Sequence, residues 1–404
     1  MTDPGRKTRV ALVSPFLDKR HGTERIVIEW FTHLPERFEI HIYSHRVEDW
    51  DPTRFTFHHI PQIPGPHLFS FLWWMMANRI RRFWDNRYHG LEYDLVFSPG
   101  INCLDADIVS VHIVFAEFLR QTRAELYLAR NPMRFWPRLA HRRIYYRLIT
   151  ALEQHIYSNQ DLMLVLYAKK TAADLARFYG RRDPMPVLYL GLDHSSYNPA
   201  SRAALRAGAR AALGLSNDRF TLLLVGNDLH KKGISALLDA VALLSELPIT
   251  LLVAGSESSV PFESLAREKR VADRVLFLPV RKDVEFYYAA ADVYTGPSLE
   301  DTFALPPQEA MACGLPTIVS STNGTSEIVT DGVDGFVLDD PTDTIGLASM
   351  IRQLYEDPDL RHRLGIAAAA TALQFTWARN ARDLADVFER VLRQKSGCQL
   401  AQES

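Results

Sequence analysis

The chain has 404 residues, of which 47% are hydrophobic and 23% charged, a composition typical of soluble proteins with two or three domains. The 46 basic and 48 acidic residues give a net charge of -2, which excludes a polycation that binds nucleic acid without sequence preference. Cys103, Cys313 and Cys398 are scattered. We therefore expect neither a disulfide framework nor a thiolate zinc site, and a reducing cytoplasm fits best.

The amino terminus and the apolar runs indicate neither export nor membrane insertion. Residues 1–7 are polar and contain Pro4 and Gly5, and no uninterrupted apolar run reaches the roughly 18 residues of a membrane span. We expect a chain that is neither secreted through a signal peptide nor membrane-spanning.

Short apolar runs alternate with longer amphipathic segments along the chain. In the first half these runs are residues 10–14, 40–43, 95–98, 108–112, 162–166 and 187–190. In the second half they are residues 221–226, 249–255, 275–278, 293–295 and 317–320. Such runs are typical of buried parallel strands, so the sequence predicts an α/β protein with two sheets in tandem.

The segment between the two sets of runs predicts a domain boundary. Residues 191–215 begin with turn-forming residues and continue as a helical pattern of alanine and arginine. We place the boundary near residue 195, which gives an N-terminal domain of residues 1–194 and a C-terminal domain of residues 195–376.

The carboxyl-terminal region predicts one long helix. Its apolar residues recur at alternating spacings of four and three, which makes an amphipathic stripe, namely Trp377, Ala381, Leu384, Phe388 and Val391. Residues 394–404 are expected to form a disordered tail.

Two segments of the first half combine arginines with aromatic side chains. Residues 120–147 are rich in arginine with a single acid, Glu125, and residues 69–88 interleave tryptophans with arginines. This composition suits an anionic membrane surface or a charged acceptor. The alternative is a solvated helix face, because Pro132 and Pro137 interrupt a continuous stripe.

Residues 296–314 form the richest candidate site because they follow a predicted strand, where parallel sheets bind ligands. Asp301 precedes a predicted helix and Glu309 lies in its first turns, so both carboxylates can face one cleft. Pro306 and Pro307 suit the first turn. The N–H groups and positive end of that turn can hold phosphate without a metal. Two acids at this spacing, taken alone, are also common in surface loops.

This segment resembles the signature of glycosyltransferase family 4, which comprises retaining group 1 glycosyltransferases of the GT-B fold. The family motif has two acids separated by seven residues, followed by A-M-A-x-G. Here the acids are Asp301 and Glu309, and residues 310–314 match the ending. Asp301 replaces a glutamate, while Thr302 and Ala304 replace glycines.

Residues 225–233 resemble the family's phosphate loop, in which an arginine follows the first glycine and a lysine precedes the last. Gly226 and Lys232 match, whereas Asn227 occupies the arginine position. Because Asn227 cannot neutralise a diphosphate, Lys232 and Lys231 would do so together with backbone N–H groups. The family includes members without this arginine, and sugar transferases of the lipopolysaccharide core are the first comparison that this suggests. A solvated helix start is the alternative for such a turn.

Further resemblances are scattered along the chain. Residues 323–329 resemble the family's G-G-x-x-E-I-V segment, and residues 331–337 resemble its D-G-x-x-G turn. Gly22 and Thr23 lie in a segment that resembles the glycine loop by which the N-terminal domain approaches the acceptor and diphosphate. His112 resembles a histidine at an acceptor-side strand end, although a lone histidine there is often structural.

The resemblance implies two Rossmann-like domains facing across a cleft, with the helix of residues 377–393 crossing back to the N-terminal domain. It implies an acceptor-binding first domain and a nucleotide-sugar-binding second domain. The activity would be retaining transfer of a hexose to a cell-envelope glycan or lipid-linked acceptor. We expect no nucleic-acid partner, and an anionic membrane surface that holds the protein peripherally on its cytoplasmic face.

The resemblance also assigns roles to individual side chains. Asp301, Lys232 and His112 would form the catalytic group, and Glu309 would accept hydrogen bonds from the ribose hydroxyls. Donor contacts would further come from Gly226, Asn227, Lys231, Phe303, Ala304 and Leu305. Retention without an evident nucleophile implies departure and attack on the same face of the sugar.

We expect a metal-independent site without a cofactor. The Asp-x-Asp pattern of Asp105 and Asp107 precedes a predicted strand, whereas a metal site of this kind follows one. Two other functions remain open: a nucleotide-sugar epimerase or phosphorylase on the same fold, and a non-catalytic subunit that binds sugar or nucleotide. The second is suggested by the substitutions at Asn227 and Asp301.

Overall fold

The computed structural model describes residues 6–19, 22–122, 136–216 and 218–402. The chain divides into two compact units, one formed by Met1–Tyr189 together with Trp377–Ser404 and the other by Leu190–Thr376. Each unit contains a parallel six-stranded sheet, which confirms the predicted α/β class. The division falls at Leu190, slightly before the boundary expected near residue 195.

The sheet of the first unit is doubly wound. Its order is β5-β3-β1-β6-β7-β8, and the small strands β2 and β4 pair separately. The strands are β1 (Thr8–Val13), β2 (Phe16–Leu17), β3 (Phe38–Ser44), β4 (Arg46–Val47), β5 (Thr56–His59), β6 (Leu95–Pro99), β7 (Ile108–Val111) and β8 (Met163–Leu166). The central strands are buried on both faces, which is why they read as continuous apolar runs.

Among the described residues of the first unit, five helices connect these strands. They are α1 (Gly22–Thr32), α2 (His67–His89), α3 (Phe115–Thr122), α4 (Trp136–Tyr157) and α5 (Lys169–Tyr179). Part of the arginine-rich segment, residues 123–135, lies outside the described residues.

The second unit repeats the same plan with the order β11-β10-β9-β12-β13-β14. Its strands are β9 (Phe220–Val225), β10 (Ile249–Ala254), β11 (Val275–Leu278), β12 (Val293–Gly296), β13 (Thr317–Ser320) and β14 (Phe336–Leu338). The chain runs outward to one side of β9 and then to the other, so the topological switch lies between β9 and β12. Ligands bind parallel sheets at such a point, beyond the carboxyl ends of the strands.

The helices of the second unit are α6 (Pro199–Ala212), α7 (Ile234–Leu243), α8 (Val260–Glu268), α9 (Glu285–Ala290), α10 (Leu305–Ala312), α11 (Thr344–Glu356) and α12 (Pro358–Ala372). The arginines of α6 donate hydrogen bonds to carbonyls at the end of the short helix α9. Arg202 and Arg206 each donate to the Ala291 carbonyl at 2.8 Å, and Arg210 donates to the Ala290 carbonyl at 2.9 Å. These bonds satisfy carbonyls that a helix end leaves without partners.

The last helix, α13 (Trp377–Gln402), belongs to the first unit and packs against α1. Its apolar stripe is buried, and Phe388 lies edge-on to Phe31 and Phe38 with ring centroids 6.1 and 5.5 Å apart. The expected disordered tail is wrong for residues 394–402, which continue the helix. Lys395 anchors this extension by donating to the Asp94 carbonyl and the Asp107 carboxylate, both at 2.9 Å.

The predicted strand at residues 187–190 is also wrong. A single bridge joins Val187 to Leu166, and Leu188 N–H donates to the Leu166 carbonyl at 2.8 Å. Pro184 and Pro186 lack the N–H groups that a longer ladder would need. Conversely, β5 and β14 were not predicted, because both are short and β5 is largely exposed. Among the described residues, none of the helices is long and apolar enough to cross a membrane.

Candidate functional site

The loop between β9 and α7 depends on two glycines that determine the path of Lys232. A Cβ on Gly226 would lie 2.7 Å from Lys232 Cγ and 2.9 Å from its Cε, so the lysine stem passes directly over this glycine. Gly233, which precedes α7, has a φ of 78°, and a Cβ there would lie 1.9 Å from the Pro297 carbonyl oxygen. The loop after β9 is therefore packed directly onto the loop after β12.

Lys232 forms an ion pair with Asp301, and both side chains are largely buried. The backbone of Asp301 is held by the loop after β13: Gly324 N–H donates to the Asp301 carbonyl at 3.0 Å, and Asp301 N–H donates to the Thr322 carbonyl at 3.3 Å. The pair thus stands beyond the carboxyl ends of β9 and β12, at the topological switch of the sheet.

The start of α10 offers fewer hydrogen-bond donors than we expected. Ala304 precedes the helix, and its N–H donates to Thr325 Oγ1 at 3.0 Å, while the Thr325 hydroxyl donates back to the Ala304 carbonyl at 2.7 Å. Pro306 and Pro307 have no N–H groups. Of the N–H groups that a helix start normally leaves open, that of Leu305 is left, so the expectation of several phosphate-binding N–H groups in this turn is wrong.

Glu309 is buried in the second turn of α10 and receives a hydrogen bond from the Tyr288 hydroxyl at 2.8 Å. Tyr288 is itself fully buried in α9, and burial together with the Glu309 charge raises the pKa of its phenol well above the usual value. The phenol therefore remains protonated and keeps donating to one carboxylate oxygen. Sequence reasoning missed Tyr288, because a tyrosine in an apolar helix carries no motif.

Tyr294 of β12 lies close to both carboxylates. Burial, followed by the charges of Asp301 and Glu309, raises the pKa of its phenol above the usual range. The structure thus brings Lys232, Asp301 and Glu309 together in the second unit around a buried, neutral tyrosine. Phe303 and Leu305, predicted to contact the donor through their backbone, are partly exposed on either side of the buried Ala304.

The other predicted phosphate-loop residues have local partners. Asn227 Oδ1 accepts hydrogen bonds from the Ser256 N–H at 3.2 Å and from its hydroxyl at 2.9 Å, which ties the loop after β9 to the loop after β10. Lys231 Nζ lies 3.7 Å from the Asp228 carboxylate in the same turn. Lys232 is therefore the lysine whose side chain reaches the loop after β12.

A cavity of about 240 Å³ opens beyond the ends of β9, β10 and β11. Glu257 stands at this cavity and accepts a hydrogen bond from the Leu229 N–H at 2.9 Å. Sequence reasoning did not find this cavity, since its walls come from three separate loops. They include Leu229, Val253, Gly255, Glu257, Phe277 and Pro279.

The candidate residues of the first unit form a separate set. Gly22 and Thr23 begin α1, and a Cβ on Gly22 would meet nothing within 4 Å, so no close approach within the chain requires this glycine. His112 follows β7, and its Nε2 lies 3.0 Å from Ser110 Oγ and 3.1 Å from the Tyr167 hydroxyl. Burial lowers the pKa of His112 to about 3, so its imidazole is neutral at physiological pH.

Within the part of the chain that the structure describes, no cluster of histidine, cysteine, aspartate or glutamate side chains is arranged to hold a metal ion. The two acids of the Asp-x-Asp pattern have other partners. Asp105 binds Arg82 at 2.7 and 3.0 Å, and Asp107 binds Lys395. Both are thus structural contacts of the first unit.

Comparison with known proteins shows that much of the second unit is similar to glycosyltransferases. Residues 206–371 match the family model described as "Glycosyl transferases group 1". A D-inositol 3-phosphate glycosyltransferase of Xylanimonas cellulosilytica is 33% identical over 253 residues, covering 60% of each chain. The enzyme of that name from Streptomyces bingchenggensis is 34% identical over 259 residues, covering 60% of this chain and 55% of the relative. The chain therefore matches less than two thirds of either relative's length.

Solved structures resemble the chain over nearly its whole length. WaaG, described as a glycosyltransferase involved in lipopolysaccharide biosynthesis, has a TM-score of 0.74 at 21% identity, covering 94% of this chain and 99% of WaaG. Anabaena HepE in complex with UDP-glucose has a TM-score of 0.70 at 18% identity, covering 95% and 99%. The fold is thus that of the GT-B glycosyltransferases, and residues 206–371 carry the resemblance to the group 1 glycosyltransferases that the sequence predicted.

Proposed function

We propose that the protein is a retaining glycosyltransferase of family 4. It transfers a hexose from a nucleotide-diphosphate sugar to a hydroxyl of a cell-envelope glycan or lipid-linked acceptor, without a metal. The observation that carries this proposal is the largely buried Lys232–Asp301 pair at the switch point of the second sheet, in the same unit as the buried carboxylate of Glu309.

The charge of Lys232 suits it to a departing diphosphate. Negative charge grows on the β-phosphate as the sugar leaves, and a fixed cation in a largely buried site stabilises that charge more strongly than one in water. Asp301 accepts the lysine's hydrogen bond and holds its ammonium group in place. We assign the second carboxylate oxygen of Asp301 to a hydroxyl of the donor sugar. We assign His112 to the acceptor, as a neutral hydrogen-bonding partner.

Glu309 suits the ribose of the donor. Tyr288 donates to its Oε2 and so fixes the orientation of the carboxylate. A carboxylate accepts two hydrogen bonds in parallel, which matches a pair of vicinal hydroxyls. The cavity beyond β9, β10 and β11, lined by Phe277 and Leu229 as well as by Glu257 and Ser259, is the place we assign to the nucleobase.

The relatives favour a nucleotide-sugar donor, because HepE structures contain UDP, UDP with glucose, or UDP-glucose. The relatives named D-inositol 3-phosphate glycosyltransferases favour an acceptor hydroxyl on a phosphorylated or otherwise anionic molecule. An anionic membrane surface at the cytoplasmic face belongs to the proposal, since a lipid-linked acceptor would be presented there.

Thermal shift with UDP, GDP, ADP, CMP and dTDP tests the donor site. A ligand at 100 times its Kd adds about 2.7 kcal/mol to the native state, or a rise of roughly 5 to 10 °C for a domain near 200 residues. We expect one diphosphate to give this shift and Glu309→Gln to reduce it. The control is Glu268→Gln on exposed α8, which should leave the shift unchanged. Absence of any shift would contradict the proposal.

A non-catalytic nucleotide-binding subunit is the second candidate, and the Asn227–Ser256 contact favours it. Asn227 occupies the position of the expected arginine, and its neutral amide supplies no positive charge. Its side-chain oxygen accepts hydrogen bonds from Ser256. Product analysis separates the two functions. Release of diphosphate from the donor, with the sugar moved to water or a supplied acceptor, requires the transferase; binding without turnover supports the subunit.

A further inference from the structure

Helix α2 of the first unit turns a row of large apolar side chains toward solvent. The row follows the three- and four-residue spacing of one helix side, and each member is between 47% and 64% exposed. We name it the α2 apolar face; it consists of Phe69, Leu72, Met76, Ile80, Phe83 and Trp84. Scattered exposed apolar residues are ordinary, but a continuous row over four turns marks an interaction surface.

The opposite side of α2 is buried and mostly polar. Arg82 donates to the Asp105 carboxylate and to Asn78 Oδ1 at 3.1 Å, and Trp74 Nε1 donates to the Asn102 carbonyl at 2.9 Å. Asp85 accepts from the Tyr43 hydroxyl at 2.7 Å. Rotating the helix to bury its apolar face would break these hydrogen bonds. The helix is therefore held with its apolar side outward.

A shallow cavity of about 300 Å³ widens this apolar surface. Leu104, which is 47% exposed, lines it together with part of helix α2. The other lining residues are Leu72, Met75, Met76, Arg79, Ile80 and Asp105. At the amino-terminal end of α2, the rings of His67 and Phe71 lie against Tyr145 of α4, with centroids 4.6 and 5.8 Å apart. The surface is thus built on two packed helices rather than on a loose element.

The charges around this face are positive. Arg79 and Arg87 are exposed on α2, and Arg87 lies over the Tyr88 ring at 5.7 Å. Asp85 is the single acidic residue between His67 and His89, and it is 2% exposed. Asp105, the acid that lines the adjoining cavity, is exposed and forms an ion pair with Arg82. An apolar stripe bordered by exposed arginines matches a bilayer with anionic head groups.

We propose that the α2 apolar face inserts into the interfacial layer of an anionic lipid bilayer, with the helix axis parallel to the membrane plane. From Phe69 to Trp84 the face is about 22 Å long, since a helix rises about 1.5 Å per residue. A second copy of the chain is a poorer occupant. Symmetric pairing would bring the arginines of both copies together with no exposed acid on α2 to compensate them.

Vesicle flotation of the full chain tests this proposal. The protein is mixed with vesicles of phosphatidylglycerol and phosphatidylcholine in equal parts, in the absence of nucleotide and sugar. The wild type floats, and the combined variant Met76→Gln, Ile80→Gln, Phe83→Gln partitions onto vesicles on the order of 100-fold more weakly. Glutamine keeps helix propensity, so an unchanged thermal midpoint verifies that the variant folds.

A matched triple variant controls for loss of apolar surface in general. Leu243→Gln, Ile345→Gln and Leu373→Gln replace exposed residues of the second unit, each more than half exposed, and this variant floats like the wild type. Arg79→Gln with Arg87→Gln weakens partitioning onto the anionic vesicles by roughly tenfold or more, since each juxtamembrane arginine contributes about 1 kcal/mol. Onto vesicles of phosphatidylcholine alone, this pair of substitutions has no effect.

Three results would overturn the proposal: a wild type that stays with the unbound protein, an α2 triple variant that floats equally well, or a dimer in sedimentation that this triple variant dissociates. The membrane surface rests on the proposed function, and the α2 apolar face gives it a defined place on the chain. Its test needs no donor, so a chain that floats but binds no nucleotide would refute the transferase and leave the lipid surface intact.

Discussion

Replacing Gly226 by alanine should move Lys232 without unfolding the site. The new Cβ would stand 2.7 Å from Lys232 Cγ, whereas ordinary contact begins at 3.4 Å, so the lysine stem must shift by about 0.7 Å. The obstacle is a flexible side chain rather than backbone, and Gly226 has no positive φ, so alanine is tolerated. Because a misplacement of about 1 Å can cost on the order of 100-fold in rate, we expect the donor reaction to slow 10- to 100-fold.

The assay measures the release of nucleoside diphosphate from the nucleotide sugar, together with the affinity for the diphosphate by calorimetry. Gly208→Ala is the matched control, because a Cβ at Gly208 in α6 meets nothing within 4 Å. That control should keep the wild-type rate and raise the unfolding free energy by about 0.5 to 1 kcal/mol. The thermal midpoint of Gly226→Ala should stay within a few degrees of wild type.

A double variant shows whether the effect passes through the lysine. If Gly226→Ala acts by displacing Lys232, the double variant Gly226→Ala, Lys232→Ala should be as active as Lys232→Ala alone, since the lysine side chain is absent from both. Additive losses would place the effect elsewhere. A Gly226→Ala variant with the wild-type rate and affinity would refute the idea that the position of Lys232 matters for catalysis.

Four further substitutions test the remaining structure. Lys232→Ala and Asp301→Ala should each lower transfer by on the order of 100-fold, and a near-normal rate in either would refute its catalytic role. Tyr288→Phe removes the 2.8 Å hydrogen bond to Glu309 and should weaken diphosphate binding about five- to tenfold by calorimetry, leaving Lys232 untouched. Burial lowers the pKa of His58 to about 4, so the unfolded chain binds the proton more readily between pH 6.5 and 4. The unfolding free energy should therefore fall as the pH drops through this window, by on the order of 2 to 3 kcal/mol, and His58→Phe should flatten that slope in chemical denaturation; an unchanged slope would contradict this assignment.

Much of the second unit could be predicted from its residues. Strands buried on both faces, such as β9 and β10, need continuous apolar runs, and these runs are visible in the sequence. The glycine-lysine loop and the acidic pair stand directly after two of these strands, so their meeting at one edge of the sheet follows from parallel topology. Short edge strands such as β14 lack that signal, because few of their residues are buried.

The contacts that orient the site could not be predicted in this way. The bond from Tyr288 to Glu309 joins residues 21 positions apart, and the bonds between Thr325 and Ala304 also span 21 positions. No local pattern indicates them, since each depends on how loops from different strands pack. The shortage of free N–H groups at the start of α10 is partly visible in the sequence, because Pro306 and Pro307 have none. The loss of the Ala304 N–H depends on its hydrogen bond to Thr325, which the sequence does not indicate.

The sequence by itself determined the α/β class, most of the strands, and the lysine and carboxylates of the candidate site, because hydrophobic periodicity and short motifs are local properties. Tertiary structure alone decided which side of α2 faces solvent. Its pattern of tryptophans and arginines suits either a buried or an exposed apolar side. The choice came from long-range partners of the polar residues, since Arg82 pairs with Asp105, and Asp85 pairs with Tyr43 and His58. Burying that polar side left the apolar one outside, a result that no helical periodicity encodes.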